Sequence, residues 1–245
     1  MFENTIKFIA SDTYVKGSKE LYPTPAKTNT PDWYKNLKHT IEFKTVKGCM
    51  PFLDSLTAGY ILKMPIDYYI AHNIEHEGRM KTGMASSAKK VFGNESINLN
   101  YGDQETHNIL QLEGSPLVEK NKFLPVHKIL NPWIIKTPPG YSCLFLPPMN
   151  NTDDRFSIIP GIVDTDSFTT QINFPFIVNG DKYPNLQTTI KVGTPYVQVI
   201  PFKRESWKMK VEGKDEKTLK TNFFFAWKYV IDNYKKKFWH KKSWK

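Results

Sequence analysis

Many short strand-like runs, one stretch of helical periodicity and a proline-rich start predict a mainly-β protein. The expected form is a barrel or sandwich carrying an extended N-terminal arm and one C-terminal amphipathic helix. The runs fall at residues 40–46, 59–64, 66–71, 130–135, 142–146, 156–163, 171–177, 188–191 and 196–202, with Pro, Gly or Asn near many of their ends. β-Branched and aromatic residues punctuated in this way suit strands joined by tight turns. The chain divides accordingly into an arm over 1–45, a β-rich core over 46–205 and a basic amphipathic helix with its tail over 206–245. A polar stretch around 73–125, with apolar pieces only at 96–100 and 109–112, reads as hairpins and loops inserted into the core or capping it.

Within the arm, Tyr22-Pro23-Thr24-Pro25-Ala26 is expected to be extended, because a residue before proline is pushed out of the α region. Pro31 can open a single helical turn, and Trp33 and Tyr34 are expected to pin the arm to the core without a sheet of its own. At the other end, Leu219, Phe223, Ala226, Trp227, Val230, Ile231, Tyr234 and Phe238 recur at steps of three and four. Asp215 is the expected N-cap, Glu216 suits the first turn, and Lys235, Lys236 and Lys237 complement the C-terminal dipole. The stripe Leu219, Phe223, Trp227, Val230, Ile231 and Tyr234 is expected to be buried, on the β core or on a neighbouring subunit.

The net charge of +10 is local. Residues 203–245 hold fourteen Lys and Arg against five Asp and Glu, leaving twenty against nineteen over the first 202. At 40% hydrophobic and 14% aromatic the chain can bury a core, which excludes global disorder. No run approaches the roughly 18 apolar residues of a membrane span. The start, Met1-Phe2-Glu3-Asn4-Thr5-Ile6-Lys7, lacks the basic-then-apolar pattern of a secretion signal. Cys49 and Cys143 are far apart in sequence and suit a reducing compartment. The expected location is cytoplasmic, with the host cytoplasm or a virion as its viral equivalents.

Four signals between Thr137 and Glu205 follow one another in a telling order. Thr137-Pro138-Pro139-Gly140-Tyr141 leads into the apolar run Ser142-Cys143-Leu144-Phe145-Leu146, and Pro160-Gly161-Ile162-Val163-Asp164-Thr165-Asp166 follows. The strand-like Gln171-Ile172-Asn173-Phe174-Pro175-Phe176 comes next, then a Gly193 turn before Tyr196-Val197-Gln198-Val199-Ile200. This order resembles the core of the dUTPase family, which implies a dUTPase-like β-clip fold; a jelly roll is the alternative. In that family the Asp at the place of Asp164 orients the water that attacks the α-phosphate, so Asp164 and Asp166 are the candidate catalytic pair. Asn173, Gln198 and Tyr60 are the candidate ligand-binding residues. Thr57-Ala58-Gly59-Tyr60 partly matches the family's metal motif, with Ile61 where the metal-holding Asp belongs. Pro147-Pro148-Met149-Asn150 stands where the family has its Arg-Ser-Gly phosphate loop, Ser167 and Phe168 stand near the family's Tyr, and no glycine-rich C-terminal arm follows. A triphosphate needs Mg²⁺ and several cationic or N–H donors. These departures therefore imply a fold kept without dUTP hydrolysis.

A wider similarity runs through Pro25-Ala26, Pro31-Asp32-Trp33-Tyr34, Lys47-Gly48-Cys49-Met50-Pro51-Phe52-Leu53-Asp54, Ala58-Gly59-Tyr60 and Gly161-Ile162-Val163-Asp164-Thr165-Asp166. These segments are similar to an uncharacterised family, a domain of unknown function, found in marine phages and some bacteria. The function expected is a phage-type accessory or structural protein on a dUTPase-like core, without catalysis and without a cofactor. Two alternatives stay open. One is a nucleotide- or metal-dependent hydrolase using Asp164 and Asp166, with Mg²⁺. The other is a nucleic-acid-binding protein in which Lys235, Lys236, Lys237, Lys241 and Lys242 meet phosphates while Trp239 and Trp244 stack on bases. Expected partners are a second copy of the chain, a virion or host protein, and nucleic acid through the C-terminus; no membrane partner is expected. Asp-x-Asp after an apolar run also suits a solvated strand-to-turn junction, and Gln198 also suits a satisfied core amide. His72-Asn73-Ile74-Glu75-His76 fits the His-x-x-Glu-His zinc-peptidase pattern, but it follows a strand-like run where that chemistry needs a helix, so no metal site is assigned.

Overall fold

The structure is a computed structural model that describes residues 4–74, 83–86, 89–92, 95–98, 107–121, 124, 126–151, 153–227 and 233–245. It is mainly β. The largest sheet is antiparallel and five-stranded, ordered Gly161–Val163, Tyr141–Leu146, Pro195–Lys203, Tyr60–Lys63 and Thr24–Pro25. Two three-stranded sheets accompany it. One places Phe174–Val178 between Phe156–Ile158 and His127–Ile129, and the other places Tyr68–Asn73 between Asn185–Ile190 and Gly83–Ser86. Two pairs complete the set, Lys7–Ile9 with Ile134–Lys136 and Lys89–Phe92 with Glu95–Asn98. Among the described residues no barrel closes. No described helix is long and apolar enough to cross a membrane.

The three larger sheets feed one core. Leu62, Cys143, Phe145, Val197 and Val199 come from the first, Ile129, Phe156, Phe174 and Phe176 from the second, and Tyr68, Ile70 and Ile190 from the third. In Tyr68–Asn73 burial alternates, Tyr68, Ile70 and His72 inward, as the two-residue period of a strand requires. The central strand Pro195–Lys203 is instead buried continuously from Tyr196 to Gln198 and Val199, because neighbouring strands and packing cover both of its faces. Phe176 is fully buried, with ring centroids of Tyr68 at 6.0 Å, Phe156 at 5.9 Å and His127 at 5.3 Å.

The N-terminal segment is not a sheetless arm. Lys7–Ile9 and Thr24–Pro25 both pair with core strands, and Tyr14, Leu21, Ala26 and Tyr34 are buried. Tyr34 sits in the short helix Asp32–Asn36 that Pro31 precedes, while Trp33 stays 39% exposed. Residues 40–46 form an exposed bend rather than a strand. The Thr40 hydroxyl accepts from the Phe43 N–H at 2.9 Å, and Ile41 and Phe43 face outward. Apolar alternation alone, with no described strand paired to it, does not fix a β conformation there. The helix Met50–Thr57, which carries Pro51 in its first turn, was not expected.

His127 gives the core a defined acid response. Burial, then the neighbouring His72, pushes its imidazole from 6.5 down to about 4. Above pH 6.5 both the folded and unfolded forms are neutral there. Between 6.5 and 4 only the unfolded chain binds the proton, so stability falls with pH, by about 3 kcal/mol in all. Denaturant midpoints measured from pH 7 to pH 4.5 are expected to fall in the wild type, and His127→Gln is expected to flatten that slope. The lowered carboxylates Asp67 and Asp153 act only below 3.8, outside this window.

Candidate functional site

Asp164 and Asp166 meet the turn Thr137-Pro138-Pro139-Gly140 at one end of the five-stranded sheet. Gly140 takes φ +83°, which turns the chain into the strand Tyr141–Leu146. That strand pairs with Pro195–Lys203 in a register that sets Tyr141 opposite Lys203, so Arg204 emerges beside the turn and its N–H donates to the Gly140 carbonyl at 2.8 Å. On the other flank Gly161–Val163 brings in Asp164, Thr165 and Asp166. Thr165 points inward, fully buried, bonding the Thr137 hydroxyl at 2.8 Å and the Cys143 sulfur at 3.3 Å.

The two carboxylates turn outward onto Arg204. Its guanidinium forks over Asp166, Nη1 donating to Oδ1 at 2.9 Å and Nη2 to Oδ2, while the Gly140 N–H adds a bond to Oδ2 at 2.9 Å. The Arg204 bonds first, and the Gly140 bond second, hold the Asp166 carboxyl well below the usual carboxylate range. The Asp164 Oδ1 accepts from the Ser142 hydroxyl at 2.6 Å and lies 3.2 Å from Arg204 Nη1. The Asp166 side chain is 12% exposed and that of Asp164 61%. This is a clasp in which one cation and two further hydrogen-bond donors occupy the acidic pair. A divalent ion would have to displace the guanidinium to reach Asp166.

Gln198 is buried, and its amide is fully engaged. Its oxygen accepts from the Met149 N–H at 2.9 Å, and its nitrogen donates to the carbonyls of Ser55 at 3.0 Å and Ala58 at 2.7 Å. It thus ties the Pro147-Pro148-Met149-Asn150 loop to the end of the helix Met50–Thr57, with Asn150 adding a bond to the Ser55 hydroxyl at 2.9 Å. Beside this loop lies a hollow of about 190 Å³ whose lining includes Asp153, Asp154 and Lys120. Asp153 is forked by Arg155 and Asp154 pairs with Lys182. Both carboxylates of the hollow are thus taken up by the chain's own cations. Asn173 stands exposed, outside this hollow's lining.

Tyr60 lines a different cleft, about 440 Å³, with Tyr141, Thr137, Pro201 and Trp244. The C-terminal tail builds one wall of it. The Tyr60 hydroxyl donates to the Lys245 carbonyl at 3.2 Å, and the Trp244 ring stands edge-on to Tyr60 at 6.2 Å. Nearby, Trp239 Nε1 donates to both oxygens of Asp54, at 3.1 and 3.0 Å, and Lys242 Nζ reaches Asp54 at 2.5 Å. The structure therefore splits the candidate nucleic-acid residues. Trp239, Lys242 and Trp244 are docked on the body, whereas Lys235, Lys236, Lys237 and Lys241 are exposed on the surface. Glu75 and His76 lie outside the described residues. His72 is a strand residue whose Nε2 lies 2.7 Å from the Tyr183 carbonyl. Among the described residues no cluster of three His, Cys, Asp or Glu could hold a metal.

Arg204 and Asp54 are the residues that sequence reasoning missed. A usable signal existed for the first: the chain has three arginines among 34 basic residues. Both of the described ones, Arg155 and Arg204, fork an aspartate, a geometry that lysine cannot supply. Known protein-family models give no match to this chain, and no curated protein matches it either.

Proposed function

We propose that this chain is a non-catalytic accessory or structural protein of the phage type, built on a dUTPase-like β core whose chemistry has been replaced by structural bonds. The observation that carries the reading is the clasp: Arg204, Ser142 and Gly140 take up the carboxylates that a nucleotide hydrolase would keep for metal and water. Gln198 supports it, since all three of its bonds hold the protein's own backbone. Purified protein with Mg²⁺ is expected to release no pyrophosphate from dUTP above the rate of a buffer control. Release at an enzymatic rate, abolished in Asp164→Asn, would overturn the proposal and restore the hydrolase reading.

A further inference from the structure

The segment that leaves the clasp has no counterpart on its own body. After Arg204 the chain runs to Asp215 without helix or strand, and no described strand pairs with it. Its sequence, Trp207-Lys208-Met209-Lys210-Val211-Glu212, alternates apolar and charged with the two-residue period of a strand. Trp207, Met209 and Val211, which a strand would place on one face, are 88%, 87% and 85% exposed. Three large side chains on one face leave several hundred Å² of apolar surface in water, the scale at which a patch marks an interaction site. The helix Glu216–Trp227 that follows adds exposed apolar area: Leu219 is 51% and Phe223 69% exposed, and Tyr234 beyond it 44%, whereas the side chains of Trp227, Val230 and Ile231, the rest of the expected stripe, lie outside the described residues.

The acceptor for such a strand lies next to its root. Gly161–Val163 is an outer strand of the five-stranded sheet, paired on one side with Tyr141–Leu146 and on the other with no described strand. Its Ile162 is 64% exposed, and no charged residue blunts the strand. Asp164, the next residue, bonds Arg204, so the open edge and the origin of the arm are joined by the clasp. A donor strand and an open edge side by side on one surface form the self-complementary patch that a two-fold axis needs. With the axis near the clasp, each copy's arm runs along the other's edge.

We infer that residues 205–215 are an exchange arm that adds as a strand to the Gly161–Val163 edge of a second copy of this chain. The inference names the partner of the structural protein proposed above and rests on that reading, but its test is separate from the dUTP assay. Sedimentation equilibrium at micromolar concentrations is expected to give a dimer. The double variant Trp207→Asp/Met209→Asp is expected to weaken it at least 100-fold, to monomer, with unchanged circular dichroism, because neither side chain is packed within the chain. In a Cys49→Ser background, Ile162→Cys with Met209→Cys is expected to give a covalent dimer on oxidation. Three outcomes would overturn the inference. They are a wild-type monomer throughout that range, a dimer indifferent to the arm substitutions, and a monomer whose arm instead cross-links to RNA or DNA at low salt. Each would leave a negative dUTP assay standing.

Discussion

Gly59→Ala is expected to be among the most damaging single changes in this protein, lowering stability by about 4 kcal/mol and the melting temperature by roughly 10 °C. Gly59 follows the helix Met50–Thr57 with φ +70°, the left-handed position that ends a helix. A β-carbon there would lie 1.9 Å from the Val199 carbonyl oxygen and 2.9 Å from its carbon, both backbone atoms of the central strand. Backbone cannot step aside as a side-chain tip can, so the helix end must lift from the sheet. Lifting it also strains the bonds from Gln198 to Ser55 and Ala58 and the Ala26 N–H bond to the Gly59 carbonyl. Gly140→Ala is the control. It has φ +83° but nothing within 4 Å of the added carbon, so only the conformational cost of about 1–2 kcal/mol applies. Equal urea midpoints for the two variants would sink the argument, because they would show that the contact with Val199 carries no energy.

Gly59 also shows what the sequence could and could not reveal. Thr57-Ala58-Gly59-Tyr60 drew notice through its likeness to a metal motif, yet the glycine is explained by a helix stop pressed against a strand 140 residues later. Strands with a buried partner on each side were readable. Residues 142–146 and 196–202 anticipate Tyr141–Leu146 and Pro195–Lys203 closely, since a long run of mostly apolar, β-favouring residues marks a strand whose faces are largely buried. Residues 40–46 failed because alternation describes a face and not what covers it. For the C-terminal helix the start at Glu216 and the cap Asp215 are as expected, while helical spacing cannot say which surface, the chain's own or a neighbour's, meets the stripe. Met50–Thr57 was missed because it is eight residues long and carries Pro51 in its first turn, which reads as a breaker until that turn is recognised. At the site, the acidic pair was legible and its partner was not. Arg204 reaches Asp166 from 38 positions away, through a strand register that no local pattern encodes.

Gln198→Leu is expected to cost about 3 kcal/mol, close in shape but without a polar atom. The substitution strands the Met149 N–H and the Ser55 and Ala58 carbonyls in a place where Gln198 itself is 1% exposed. Each unpaired backbone group there costs about 1–3 kcal/mol, offset in part by the better burial of leucine. Gln198→Glu separates this structural role from ligand binding by its pH dependence. A carboxylate can still accept from the Met149 N–H but presents lone pairs to two carbonyls, whereas a protonated carboxyl donates to one of them. Its folded pKa is therefore raised, so the variant should be most stable below the ordinary Glu range and lose stability as pH rises through its folded value. Urea midpoints for Gln198→Glu measured at pH 4.5 and pH 7.5 check the sign. The His127 effect must be subtracted using wild type, because it runs the opposite way, weakening the fold as pH falls toward 4. A variant that melts like wild type at both pH values would mean that the Gln198 amide does not hold the loop to the helix, and the amide would then be free for a ligand.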